Sequence, residues 1–393
     1  MIIICEPQFK GHEHSQFNAA LITVVKNAFP NKEILFLAEK EHIFHVQEIL
    51  KKNSVNIKFK YKTIKVIPQN RVDPVRFPFE FILFNKIFKL GKQLNSERII
   101  ISNIRRPSIV SLKILMKKYN DLKIIVVLHG ILESIYNSPF KITEFPFWFR
   151  FWILFGNNNQ LRYMVLGSSI EKELVKELPT LKKYIISIDH PYFFSEKKHI
   201  QYSKENNIIK FGFFGFGSIR KGIDIFFKLA EDISNEKTRY NPEFILIGNL
   251  QNQKFGPVTY KKIDKIKNSA VFIPSNKKSL SLDEFESYAN ILDYSIILHK
   301  PQENRLTAMA SLFDAISYLK PIIAINSPFV SYYFNKMGNI GYLCEDYNEL
   351  KELILKILNN DHSKEYDQQI DNILDNRKKI SIKVISDELA KKW

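Results

Sequence analysis

An alternation that occurs twice along the chain limits the fold more than any other feature. Runs rich in Ile and Val, each about five residues long, fall at residues 1–5, 33–37, 98–102, 123–128, 163–166 and 185–188 and read as strands buried on both faces. Between them lie amphipathic stretches with helical spacing, at 14–26, 42–52 and 108–119. The series restarts at 208–214, 244–247, 270–273, 294–298, 321–324 and 341–343, with helical patterns at 222–233, 307–318 and 348–358. Strands alternating with helices form parallel sheets covered on both sides. Two series predict an α/β chain of two doubly wound, Rossmann-like domains facing across a cleft, at residues 1–190 and 208–375, with a helical tail at 376–393. The polar, aperiodic stretch 190–207 separates them.

Composition narrows the class. With 45% hydrophobic and 25% charged residues the chain is globular, not disordered. Cys5 and Cys344 are too few for a disulfide framework or a four-cysteine zinc site, and they fit a reducing, cytoplasmic setting. The N-terminus lacks a basic segment followed by a long apolar one, so no signal peptide is expected. No window reaches ~18 uninterrupted apolar residues, so any membrane contact is expected to be peripheral, at the inner face. Lysine and arginine number 58 against 41 aspartate and glutamate, a net +17 that attracts nucleic acid, anionic membrane or phosphorylated substrates. The basic residues are scattered and mostly lysine, with no arginine-rich run, zinc finger or stacking motif, so nucleic acid is not an expected partner.

In open α/β sheets ligands bind beyond the carboxyl ends of the strands, and four such junctions carry candidate chemistry. Residues 6–15 follow the first strand: Gly11 permits a tight turn, while His12, Glu13 and His14 offer acid, base or ligating groups. No metal is expected there, since the HExxH spacing is missing. His129 follows the strand 123–128 at the rim of the sheet. Residues 212–222 (GFFGFGSIRKG) open the second series; Gly215 and Gly217 allow close backbone approach, and Arg220 and Lys221 bring positive charge to a helix N-terminus, a combination suited to a pyrophosphate. In 299–321, Arg305 could pair with a phosphate. Thr307 is expected as the cap of a helix that carries Asp314 two turns on.

At these junctions the chain resembles a glycosyltransferase of the GT-B fold, nearest the retaining family-four type. Residues 314–324 (DAISYLKPIIA) look like that family's Glu-Ala-x-x-x-Gly-Lys-Pro-Val-Ile-Ala segment, and 214–224 (FGFGSIRKGID) like its Gly-Arg-x-x-x-x-Lys-Gly loop. Residues 126–130 (VVLHG) resemble its first-domain strand and histidine, and Gly11 with His12, Glu13 and His14 its acceptor loop. Ser168 and the pair His190-Pro191 fall at its serine and Asn-Gly positions. The chain departs from the pattern where the loop arginine becomes Phe216, and where the first of two paired carboxylates becomes Leu306 and the second is Asp314.

The resemblance implies transfer of a sugar from a nucleotide-diphosphate donor to a hydroxyl, with no cofactor and no obligatory metal. Arg220, Lys221, Arg305 and the helix starts at Gly222 and Thr307 would stabilise the leaving diphosphate, with Gly215 and Gly217 beside it. Asp314 would hold the ribose, His129 would contact the donor sugar, and Glu303 would stand in for the missing carboxylate. Gly11, His12, Glu13 and His14 would meet the acceptor. Residues 71–89 and 139–162 mix Phe and Trp with Lys and Arg, which suits either a packed core or an anionic membrane interface. A lipid-linked or lipopolysaccharide-type acceptor in bacterial surface polysaccharide synthesis would account for these stretches and the charge together. The alternatives are a sugar-nucleotide epimerase of the same fold, a basic nucleic-acid-binding protein, and an inactive subunit, which the loss at Leu306 permits.

Overall fold

The computed structural model describes residues 1–67, 71–139, 141–194, 207–250, 267–274 and 280–393. The isoleucine-rich runs pair into two sheets, because strands apolar on both faces lose their water only when helices cover both sides. In the first sheet lie β1 (Ile2–Cys5), β2 (Ile34–Ala38), β3 (Lys60–Thr63), β4 (Arg98–Ile101), β5 (Ile124–Val127), β6 (Leu161–Leu166) and β7 (Ile185–Ile188). Their order is β3-β2-β1-β4-β5-β6-β7, and every pairing is parallel. Connecting them are α1 (Ser15–Ala28), α2 (Lys40–Lys52), α3 (Asp73–Gln93), α4 (Arg106–Lys118), α5 (Phe149–Leu154) and α6 (Ser168–Glu177).

The second sheet holds β8 (Ile208–Phe214), β9 (Asn241–Ile247), β10 (Val271–Phe272), β11 (Tyr294–Ile297), β12 (Ile322–Ile325) and β13 (Gly341–Cys344), again parallel, in the order β10-β9-β8-β11-β12-β13. Its helices are α7 (Ile223–Ser234), α8 (Leu282–Asn290), α9 (Ala310–Ser317), α10 (Pro328–Met337), α11 (Tyr347–Asn359) and α12 (Ser363–Asn376). Each sheet changes winding direction once, between β1 and β4 and between β8 and β11, and those are the places where loops splay apart and leave room for a ligand.

The chain divides into two compact units. One comprises Met1–Phe193, Leu306–Ala308 and Ile380–Trp393, and the other Phe194–Arg305 and Met309–Lys379. Most of the expected boundary stretch, residues 195–206, lies outside the described residues. Residues 380–393, expected within a terminal tail, belong to the first unit. There α13 (Ile382–Lys392) packs on α1 and buries Ile385 and Leu389 in the core, worth roughly 1.5–3 kcal/mol for each side chain. Trp393 closes the contact: its ring lies 4.2 Å from Phe29 and its indole N–H donates to Glu97 at 3.1 Å.

Two local expectations change. β3 was not among the expected strands, because an exposed edge strand of sequence KYKT carries no apolar run. The helix expected to start at Thr307 starts at Ala310, with Met309 in the cap position and no side-chain cap bond.

Candidate functional site

In the first unit the loop after β1 is held from beneath by a buried carboxylate. Glu6 accepts from the backbone N–H of Gln8 (2.9 Å) and Phe9 (3.2 Å), and from Asn18 Nδ2 (3.1 Å) and Ser102 Oγ (2.9 Å). Burial pushes its pKa up, and these hydrogen bonds oppose the shift. Asn18 Nδ2 also meets His42 Nε2 at 2.9 Å, so that nitrogen accepts; His42 Nδ1 then carries the proton and donates to the Gly11 carbonyl at 2.9 Å. This chain of bonds fixes Gly11, at φ 56°, as the turn before α1. His42 is thereby locked neutral, its pKa lowered by burial to about 4.

Above the sheet, the loop and the strand ends bring three histidines together. His14 stacks on Phe9 (centroids 3.9 Å) and stands 4.4 Å from the His129 ring, which is 5.5 Å from His190. Phe17 packs against both His129 (4.9 Å) and His190 (5.3 Å). His14 follows β1, His129 follows β5 and His190 follows β7, so all three lie at the carboxyl ends of one parallel sheet. Burial lowers the pKa of His129 to about 4 and of His190 to about 3; His14 falls well below the usual imidazole range through burial and the neighbouring histidines. At neutral pH these are uncharged imidazoles. Buried His129 Nδ1 has no hydrogen-bond partner. His12 and Glu13 are exposed on the loop. Among the described residues, no group of three or more His, Cys, Asp or Glu is arranged to hold a metal ion.

In the second unit β8 runs directly into the glycine loop. Gly215 adopts φ 87°, and its N–H donates to the Ile247 carbonyl at 2.9 Å. Lys221 Nζ lies 3.7 Å from where a Cβ on Gly215 would sit, so the ammonium rests beneath the loop backbone. The N–H of Gly217 donates to the Asn249 carbonyl at 2.8 Å, which ties the loop to the segment after β9. Gly222, at φ 80°, caps α7, and a Cβ there would strike the Leu298 carbonyl. Burial lowers the pKa of Lys221, Asp314 opposes the shift, and Arg220 adds to it. Lys221 thus stands near Asp314, largely cut off from water. Arg220 is exposed beside it.

His299, just past β11, was not singled out from the sequence. It is buried, its Nδ1 has no hydrogen-bond partner, and burial with the charges of Lys221 and Arg220 keeps it neutral. Its signal was available, since a histidine after a strand end is the feature that marked His129.

The remaining expected residues are scattered. Glu303 is exposed on the turn Pro301–Glu303, which is anchored where Asn304 Nδ2 donates to the Arg220 carbonyl at 2.9 Å. Arg305 is half-buried. Thr307 caps no helix: its hydroxyl donates to Glu133 Oε1 at 3.0 Å, which also accepts from the Leu306 N–H at 2.6 Å. The aromatic stretches divide between core and surface. Phe84, Phe88 and Phe149 are buried, whereas Phe79, Phe145, Phe151 and Phe155 are exposed. Trp148 precedes the short α5 and Trp152 lies within it, its indole donating to the Pro146 carbonyl at 2.7 Å.

No family model and no curated protein matches the sequence. Solved structures do. Anabaena HepE in complex with UDP and glucose aligns over 100% of this chain and 99% of its own, at 13% identity and a TM-score of 0.67. S. aureus TarM, in a complex containing UDP, aligns over 99% of both chains at 12% identity and a TM-score of 0.62. A UDP-N-acetylglucosamine 2-epimerase covers 95% of this chain and 90% of its own, at 11% identity and a TM-score of 0.53. Two parallel doubly wound sheets, each with its polar loops at the switch point, and full-length likeness to these structures identify the architecture as the GT-B fold of glycosyltransferases.

Proposed function

We propose that the protein is a glycosyltransferase that moves a sugar from a nucleotide-diphosphate donor, of the uridine type, to a hydroxyl of a glycan or lipid-linked acceptor. The observation that carries this reading is Lys221, its ammonium held under the Gly215 backbone at the switch point of the second sheet. A diphosphate placed there would meet free N–H groups at the start of α7 and a poorly hydrated cation, with Arg220 beside it. Charge on the departing diphosphate would be neutralised by these groups, without a metal. Asp314 would accept from the ribose hydroxyls. In the first unit, His129 and His14 would hydrogen-bond sugar or acceptor hydroxyls as neutral imidazoles, with His12 and Glu13 at the open side. The likeness to HepE and TarM, both solved with UDP, supports the donor class.

Isothermal calorimetry with UDP tests the donor site. Lys221→Ala should weaken binding by about 1.5–3 kcal/mol, the range for a charged hydrogen bond. Unchanged affinity in a folded variant refutes the assignment. A second reading, epimerisation of the donor sugar, is favoured by the likeness to the 2-epimerase. Incubation with a UDP-sugar and a hydroxyl acceptor separates the two: transfer releases UDP, and epimerisation leaves the nucleotide sugar intact but isomerised.

A further inference from the structure

A second concave site opens on the far edge of the first sheet. It is a groove of about 820 Å³ between the edge strand β3, the segment that follows it, and α3. Sites of ~300–1,000 Å³ are the usual size for a small ligand. One stripe of α3 forms its wall: Val75, Phe79, Ile82, Lys86 and Gln93 recur at helical spacing, over about 27 Å at 1.5 Å per residue. The apolar members are left to water, with Phe79 58% and Ile82 52% exposed. The opposite side of α3 buries Phe84 and Phe88, so the helix is apolar on both sides but covered on only one. Five basic residues line the groove, Lys62, Lys65, Arg71, Lys86 and Lys89, and no carboxylate does so among the described residues.

An apolar trough with a rim of one charge sign fits an amphiphile of the opposite sign. We infer that the groove binds an anionic lipid, its hydrocarbon chain along the α3 stripe and its phosphate among Lys62, Lys65 and Lys86. A second copy of this chain would set lysine against lysine, and a zwitterionic lipid would leave the rim uncompensated.

The groove is tied to the loop expected to meet the acceptor. Arg76 on α3 donates to Gln8 Oε1 at 2.6 Å and to Glu80 at 2.8 Å, and Gln8 Nε2 donates to Ser108 Oγ at 3.1 Å. Ser108 in turn donates to Glu80 at 2.5 Å. The helix that would seat the lipid therefore also holds the segment between Glu6 and Gly11. That the lipid is the anchor of a glycosyl acceptor rests on the reading above; that the groove binds it does not.

Calorimetry on the full-length protein with dioctanoyl phosphatidylglycerol below its micellar concentration reads the site directly. One lipid should bind per chain, at least about tenfold tighter than dioctanoyl phosphatidylcholine, and inorganic phosphate alone should give no saturable heat. Each basic residue near an anionic headgroup is worth about a fivefold change in affinity. The pair of substitutions Lys65→Glu and Lys86→Glu, both exposed, should therefore weaken the anionic lipid by more than about twentyfold with an unchanged circular dichroism spectrum. Phe79→Ser should weaken both lipids. Equal affinity for the two lipids, indifference to the charge reversals, or a concentration-dependent dimer that Phe79→Ser abolishes would each overturn the assignment. UDP titrated into the same samples separates the two ideas: UDP binding without lipid binding removes the groove alone, and lipid binding without UDP binding removes the donor site alone.

Discussion

Replacing His42 with glutamine will change how the first unit responds to acid. In the folded protein His42 accepts from Asn18 and donates to the Gly11 carbonyl, and burial lowers its pKa from an ordinary 6.5 to about 4. An imidazole that resists protonation when folded stabilises the fold above its unfolded pKa. That stability is lost as pH falls from 6.5 toward 4, because the unfolded chain takes up the proton first. Proton linkage over this interval gives a loss of about 2 kcal/mol by pH 5 and about 3 kcal/mol by pH 4. Glutamine can offer an oxygen to Asn18 and an N–H to Gly11, and it does not titrate. The wild type should therefore lose about 2 kcal/mol more than His42→Gln between pH 7 and pH 5. His14, His129 and His190 titrate in both proteins, so the difference belongs to His42. Urea denaturation followed by tryptophan fluorescence measures it, since Trp148, Trp152 and Trp393, the three tryptophans of the chain, all lie in the first unit. The same acid loss in both proteins would refute the assigned tautomer and the pinning of Gly11.

Gly222→Ala should cost at least about 2 kcal/mol, from the left-handed backbone alone plus the collision with the Leu298 carbonyl; chemical denaturation monitored by circular dichroism checks this, and a near-neutral result refutes it. Asp314→Asn should erase a preference for UDP over 2′-deoxy-UDP in calorimetry, and a wild type that binds both equally removes Asp314 from the ribose.

Most strands were legible because they are buried in parallel sheets and show as apolar runs, the edge strand β7 among them. β3 escaped because it is exposed along its length and carries no apolar run, so KYKT reads as a loop. The glycine loop was legible for a local reason: positive φ at Gly215 and Gly222 requires glycine, and the residues between carry the charge. His129 could be found from its place at a strand end. Its grouping with His14 and His190 could not, since that depends on the order in which β1, β5 and β7 sit in the sheet. His42 lay still further from view, for its partner Gly11 is 31 residues away and nothing local marks the pair. The start of α9 was misplaced because Thr307 has the chemistry of a cap, while Glu133, distant in sequence, already accepts from its hydroxyl.

The return of α13 to the first unit sets an order of events during synthesis. Residues 1–193 leave the ribosome with the outer face of α1 bare, for the side chains that cover it, Ile385 and Leu389, are made only after the second unit. Translation at roughly 5–20 residues per second leaves that face uncovered for roughly 10–40 s. Through that interval the first unit is held by its sheet and its other helices, while the strands of the second unit are still being made. Loss of residues 382–393 would therefore injure the unit farther away in the sequence, stripping Trp393 from Phe29 and Glu97 while leaving the second unit whole.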